Sequence, residues 1–266
     1  MAARSLLIVL IAALLSGCAV IQASAPPRLA LLAPFEGRYR DVGYEALYAV
    51  RLAIDDSASD IDLFAIDDGG SLRTAIERAR AIQSSEEYVG ALLIGPHATN
   101  TDVQMALTGL PTVIIGGWGA HAAGDHVVSL SNPDALSQLT AVRSDNITQL
   151  PELPFTGDER YALSQMTELH SDLTGVTILS SGSLPSDDFS ERYLNSAEFA
   201  PEPGFLATLA YDATRLILIA QRPGASWAEV RYEGLNGVFT FADGYWQNAP
   251  MYRYGFQSGT LTSLPD

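Results

Sequence analysis

Four histidines (His97, His121, His126 and His170), one cysteine (Cys18) and a few paired acids are the side chains whose chemistry could reach beyond packing. His97 and His121 would make a conceivable metal pair with Asp125, but their spacing fits no zinc signature. Asp67-Asp68 stand before Gly69-Gly70 and read as a strand-ending turn, and Asp187-Asp188 read as a helix cap ahead of Phe189 to Leu194. There is no G-x-S-x-G, and "GGWGAH" at 116–121 does not fit G-x-G-x-x-G. All 15 basic residues are arginine. Without lysine, a Schiff base, a P-loop and a Ser/Lys dyad are excluded. These residues assemble no catalytic set, and they call for no cofactor and no metal.

Cys18 asks for a different explanation. Arg4 is the only charge before an unbroken run of Leu, Ile, Val and Ala from Leu6 to Leu15, and Ser16-Gly17 lead into the cysteine. This is the layout of a secretory signal, and the run is too short to span a bilayer, which takes roughly 20 apolar residues. The thiol is either incidental to a cleaved signal or, because Leu15-Ser16-Gly17-Cys18 resembles the bacterial lipobox, the point of lipid attachment. The lipobox reading makes 1–17 the signal peptide, Cys18 the lipidated residue at an extracytoplasmic membrane surface, and 18–27 a Pro-containing tether. Two or three acyl chains would make that anchoring stable.

The net charge is −16, from 31 acidic and 15 basic residues, which argues against a nucleic-acid partner. Hydrophobic residues make up 47% of the chain, enough for a real core after Arg28. There, short apolar runs alternate with helical periodicity. Leu29 to Pro34, Ile61 to Asp67, Val89 to Ile94, Thr112 to Ile115 and Val127 to Leu130 read as strands. Gly43 to Asp55, Leu72 to Ser84 behind a Ser71 cap, and Thr99 to Leu107 read as helices. The pattern predicts an α/β fold with a doubly wound parallel sheet, whose ligands bind outside the carboxyl ends of the strands. The loops Phe35 to Val42, His97 to Thr101 and Gly116 to His121 gather there. Helices over Pro133 to Val142 and Asp158 to Leu169, with no strand between them, are expected next. Asp243-Gly244 and Ser258-Gly259 signal late hairpins, the second after the alternating Tyr252, Tyr254 and Phe256.

The order and spacing of "LALLAPFEGRYRDVGYEALYAVRLAIDD", "DLFAIDDGGSLRTAIERARAI", "VGALLIGPHATNTDVQMAL", "LPTVIIGGWGA", "TGVTILSSGSLPSDDFSERYL" and "ATLAYDATRLILIA" resemble the type 1 periplasmic binding proteins, in particular the branched-chain amino-acid receptors. The resemblance implies two α/β lobes that close on a solute and deliver it to an ABC permease. Lobe one would comprise 28–130 and 175–232, and a reduced lobe two would comprise 131–174 and 233–266 with a C-terminal β-hairpin. It also implies that Thr99, Asn100 and Thr101 receive a ligand carboxylate, although a threonine there equally suits the cap of its helix. Ala120 stands near a position where the family has Ser or Thr. Trp118 is then either an aromatic wall or a cover, Tyr39 a residue of the mouth, and Tyr211 a residue of the mouth or the core. Two functions follow: a lipid-anchored solute-binding protein for a small polar ligand such as an amino acid, or an interaction lipoprotein that docks on an envelope partner, similar to the activators of penicillin-binding proteins. Replacing Cys18 with Ala should abolish metabolic palmitate labelling of the full chain and release it from the membrane fraction; undiminished labelling would dismiss the lipobox reading.

Overall fold

A computed structural model describes residues 26–140, 150–162, 165–221 and 226–265, so Cys18, the signal and all but the end of the tether lie outside the described residues. β1 (Arg28–Ala33) is buried at every position after the first. Its residues alternate between two cores: Leu29, Leu31 and Ala33 face one, Ala30 and Leu32 the other. Such two-sided burial is why a central parallel strand reads as a continuous apolar run. β1 pairs in parallel with β2 (Asp62–Asp67) and β3 (Tyr88–Leu93), and the sheet extends through β4 (Thr112–Ile114) to β5 (Val127–Ser129). α1 (Arg40–Ser57) covers one face, while α2 (Leu72–Gln83) and α3 (Thr101–Ala106) cover the other. The sheet is doubly wound, and Ser71 caps α2 through a 3.2 Å bond from the Thr74 amide to its Oγ.

Several boundaries differ from the sequence reading. The first loop is largely helical, because a short 3₁₀ turn at Gly37–Tyr39 runs straight into α1. The apolar stripe becomes regular only from Leu47, so periodicity hides the first turns. Gly43 lies in those turns, where an added Cβ would sit 2.0 Å from the Pro34 carbonyl oxygen. Only glycine lets α1 begin this close to the end of β1. α3 is also shorter than expected, since Thr99 and Asn100 precede it.

The chain then leaves the first sheet. α4 (Ala135–Gln138) is shorter than the helix expected over Pro133 to Val142: it starts after Asp134 and stops at Leu139, whose backbone is extended, while 141–142 lie outside the described residues. A strand, β6 (Phe155–Gly157), follows where none was expected; three residues between Pro154 and Asp158 are too few to show alternation. The helix expected over Asp158 to Leu169 divides into a 3₁₀ turn at Glu159–Tyr161 and α5 (Gln165–Leu169). β6 pairs with β7 (Val176–Ser180), which pairs with β12 (Tyr252–Gln257), and that strand with β13 (Thr260–Ser263). These four strands form the second sheet.

Sheet membership therefore departs from the expected lobes in two places. β7 belongs to the second sheet, although the 175–232 span had assigned it to lobe one. The hairpin of β10 (Phe241–Ala242) and β11 (Tyr245–Trp246) extends the first sheet beside β5, although it falls within 233–266. Its turn residues Asp243 and Gly244 have φ of 51° and 78°, the double left-handed conformation of a two-residue hairpin turn. Between these segments, α6 (Asp187–Asn195) packs beside α1, and α7 (Phe205–Ala220) packs between α1 and β3. Ser186 caps α6, with Asp187 and Asp188 in its first turn. The short pair β8 (Tyr232–Gly234) and β9 (Gly237–Phe239) follows α7. The chain thus crosses between the sheets after β5, after β7 and after β11.

Gly43→Ala should destabilise the fold by about 1–3 kcal/mol, because α1 cannot move off the Pro34 carbonyl without disturbing the core beneath it. Urea unfolding with an unchanged slope and a lower midpoint is the expected result.

Candidate functional site

The crossing segments are bonded to one another. The Asn132 amide donates to Ser181 Oγ at 2.8 Å, Asn132 Nδ2 donates to the Ala249 carbonyl at 2.7 Å, and Ser181 Oγ donates to the Pro250 carbonyl at 2.7 Å. They form a hinge region from which the two sheets turn the carboxyl ends of β4, β6 and β7 toward one another.

At that seam a side chain crosses the gap. Glu159, 2% exposed, projects from the turn after β6 and accepts the Gly117 amide on Oε1 at 3.0 Å and the Trp118 amide on Oε2 at 3.2 Å. Ser180 Oγ, at the end of β7, adds a long contact of 3.4 Å to Oε1. Gly116, Trp118 and Gly119 all have positive φ, which folds the loop after β4 so that successive amides point at the carboxylate. A Cβ on Gly116 would stand 3.1 Å from Glu159 Oε1. The neighbouring Arg160 does not serve Glu159: its Nη2 lies 2.6 Å from Asp158 Oδ2 and its Nε 3.0 Å from Oδ1. The space left beside Glu159 is about 20 Å³, room for roughly one water.

A larger space lies elsewhere between the lobes. The first turns of α1, the start of α7 and the β12–β13 hairpin enclose a cavity of about 530 Å³. Asp41, Glu45 and Glu202 supply its charge, Leu206, Phe256 and Leu261 much of its apolar wall, and among the described residues no arginine or histidine lines it. Glu45 also accepts the Gly204 and Ala207 amides, at 2.9 and 2.8 Å, and so closes the start of α7.

The residues singled out in the sequence do not converge on either place. Thr99 is fully buried and donates its hydroxyl to the Gly95 carbonyl at 2.8 Å. Asn100, rather than either threonine, caps α3 by accepting the Asp102 amide, and Thr101 is exposed on the first turn. Trp118 is 4% exposed and donates Nε1 to the Ile115 carbonyl, so its ring is core while its backbone belongs to the seam. Tyr39, 8% exposed in the turn before α1, lies within electrostatic range of Arg160 on the other lobe. Tyr211 is far from the seam: it donates to Asp56 in the last turn of α1, at the end away from the strand carboxyl ends. His121 sits beside the Tyr245 hydroxyl and His126 beside the Gln104 carbonyl, and among the described residues no group of three metal-ligating side chains occurs. Sequence reading missed Glu159 and Glu45, because both looked like ordinary acids of expected helices.

No protein-family model and no curated protein matches this chain. Solved structures do. The leucine-binding protein LivK of Thermotoga maritima superposes with a TM-score of 0.70 at 12% identity, over 90% of this chain and 98% of that one. The fold is that of the type 1 periplasmic binding proteins. The branched-chain amino-acid binding protein LivJ of Streptococcus pneumoniae, solved with isoleucine, superposes at 0.64 with 11% identity, over 89% and 97% of the two chains. A solute-binding protein of R. palustris, solved with benzoate, does so at 0.57 with 12% identity, over 90% and 95%.

Burial raises both Glu45 and Glu159 from the usual carboxylate range to about 7, against the lowering effect of the amides they accept, and for Glu159 the Asp158 charge adds to the rise. A carboxyl whose folded value exceeds its unfolded one holds its proton more tightly in the native state. These two groups therefore weaken the fold progressively as pH climbs from about 4.5 to about 7. The thermal midpoint should fall across that window, and Glu159→Gln should flatten part of the slope; an identical slope in the variant would count against the assignment.

Proposed function

We propose that this protein is an extracytoplasmic solute-binding protein, held at the membrane through Cys18, that takes a small molecule between its two lobes. The observation that carries this reading is the cavity of about 530 Å³ at the meeting of the lobes, in the size range of small-molecule sites. Its acids and apolar wall suit a ligand with an ammonium group and an apolar body, an amino acid among them. The names of the neighbouring structures, which include isoleucine and benzoate complexes, support small solutes as a class. Delivery to an ABC permease completes the proposal.

One feature favours the second reading, an envelope interaction protein that keeps the fold without carrying a solute. The seam at Gly117 and Trp118 is filled by the protein itself, and the Thr99 hydroxyl is already engaged.

Thermal unfolding of the full chain in detergent against amino acids, amines and aromatic acids separates the two. A ligand that binds only the folded state raises the midpoint according to its concentration over Kd. An amine-bearing ligand should do so, and Leu261→Trp, which fills the cavity, should remove the shift. A flat response at ligand concentrations well above millimolar would leave the docking alternative standing.

A further inference from the structure

We propose that Glu159 acts as a built-in ligand: its carboxylate occupies a seat for carboxylates between the lobes and keeps the second sheet closed on the first. The seat has three parts on two different lobes. The Gly117 and Trp118 amides belong to the loop after β4, whereas Ser180 ends β7 and Glu159 follows β6. Both amides donate to separate oxygens of one group, the pattern with which paired backbone amides receive a free carboxylate.

The surroundings fit an occupant rather than an ordinary ion pair. Arg160, the adjacent guanidinium, is bound to Asp158, and no ion pair with Glu159 occurs among the described residues. Gly116 and Gly117 carry no side chain at the two points nearest the carboxylate; a Cβ on Gly117 would lie 3.5 Å from Oε2. The remaining volume of about 20 Å³ leaves no room for a second carboxylate. A solute with an acid group must therefore displace Glu159 from the seat or bind away from it. The inference does not rest on the solute-binding reading: a protein that binds nothing in the 530 Å³ cavity would still be held shut by Glu159.

Chemical rescue tests it. Glu159→Ala removes atoms equivalent to acetate and leaves the two amides without an acceptor. In the full chain, the variant should melt several degrees below wild type, and sodium acetate should raise its midpoint above that in sodium chloride of equal ionic strength. Wild type should show no such difference between the salts. No preference for acetate in the variant, or the same preference in wild type, would overturn the proposal. Should the variant not fold, hydrogen exchange in the wild-type protein decides: the Gly117 and Trp118 amides should exchange far more slowly than unbonded amides, and exchange at the rate of a free loop would overturn it. Failure of every ligand in the cavity would not alter either result.

Discussion

Carboxylates satisfied by backbone amides brace this fold. The chain has 31 acids, 15 arginines and no lysine, so few cations are available to pair with acids that become buried. Among the buried acids, Asp158 has Arg160 as its partner. Glu45 takes two amides at the start of α7, Glu159 takes two from the loop after β4, and Asp212 takes the Leu235 and Asn236 amides together with the Asn236 side chain. The interaction satisfies both partners: a buried amide without an acceptor costs about 1–3 kcal/mol, and a desolvated carboxylate costs more. Glu45, Glu159 and Asp212 each join segments distant in sequence, so removing one would leave both an uncovered amide pair and a loosened contact between elements.

Two of these braces meet at α7. Its first turn is held by Glu45 of α1, and its Asp212 fixes the turn between β8 and β9. Asn236 in that turn passes the connection to Ser183 and Thr208 through its side-chain oxygen. Phe205 stacks on Tyr254 of the second sheet, with centroids 5.3 Å apart, and the Tyr254 hydroxyl donates to the Gly182 carbonyl just past β7. One helix therefore touches the cover of the first sheet, the crossing segment and the second sheet. The helix also forms the wall of the larger cavity at Leu206.

What could be read from the sequence follows the range of the forces involved. The strands of the first sheet, the Ser71 cap and the hairpin at Asp243-Gly244 depend on residues within a few positions of one another, and the structure has them as expected. The sheet that β7 joins is set by β6, itself unread in the sequence, and by Tyr252 to Tyr254, more than 70 residues away, and the apolar run VTILS carries no mark of that choice. β6 was hidden by its length, and Glu159 by a helical pattern that continued through it. Aromatic residues were the least informative part of the site: Trp118 and Tyr211 look alike as candidates, yet one is buried beneath the seam and the other binds the opposite end of α1. Asn100 shows the limit of type-based reasoning, since it performs the capping that either neighbouring threonine could have performed.

The order of elements along the chain has a consequence for assembly during synthesis. The first five strands are complete by Ser129, but α7 ends at Ala220 and the hairpin that extends the sheet beside β5 ends at Trp246. A ribosome that has released only the first half of the chain has therefore produced a sheet with one face partly bare and the β5 edge unpaired. Such exposed apolar surface and open edges are what chaperones bind and what aggregates grow from. The lobe encoded first is complete only at Trp246 and the second only at Ser263, so nearly the whole polypeptide must emerge before either half of the molecule can close.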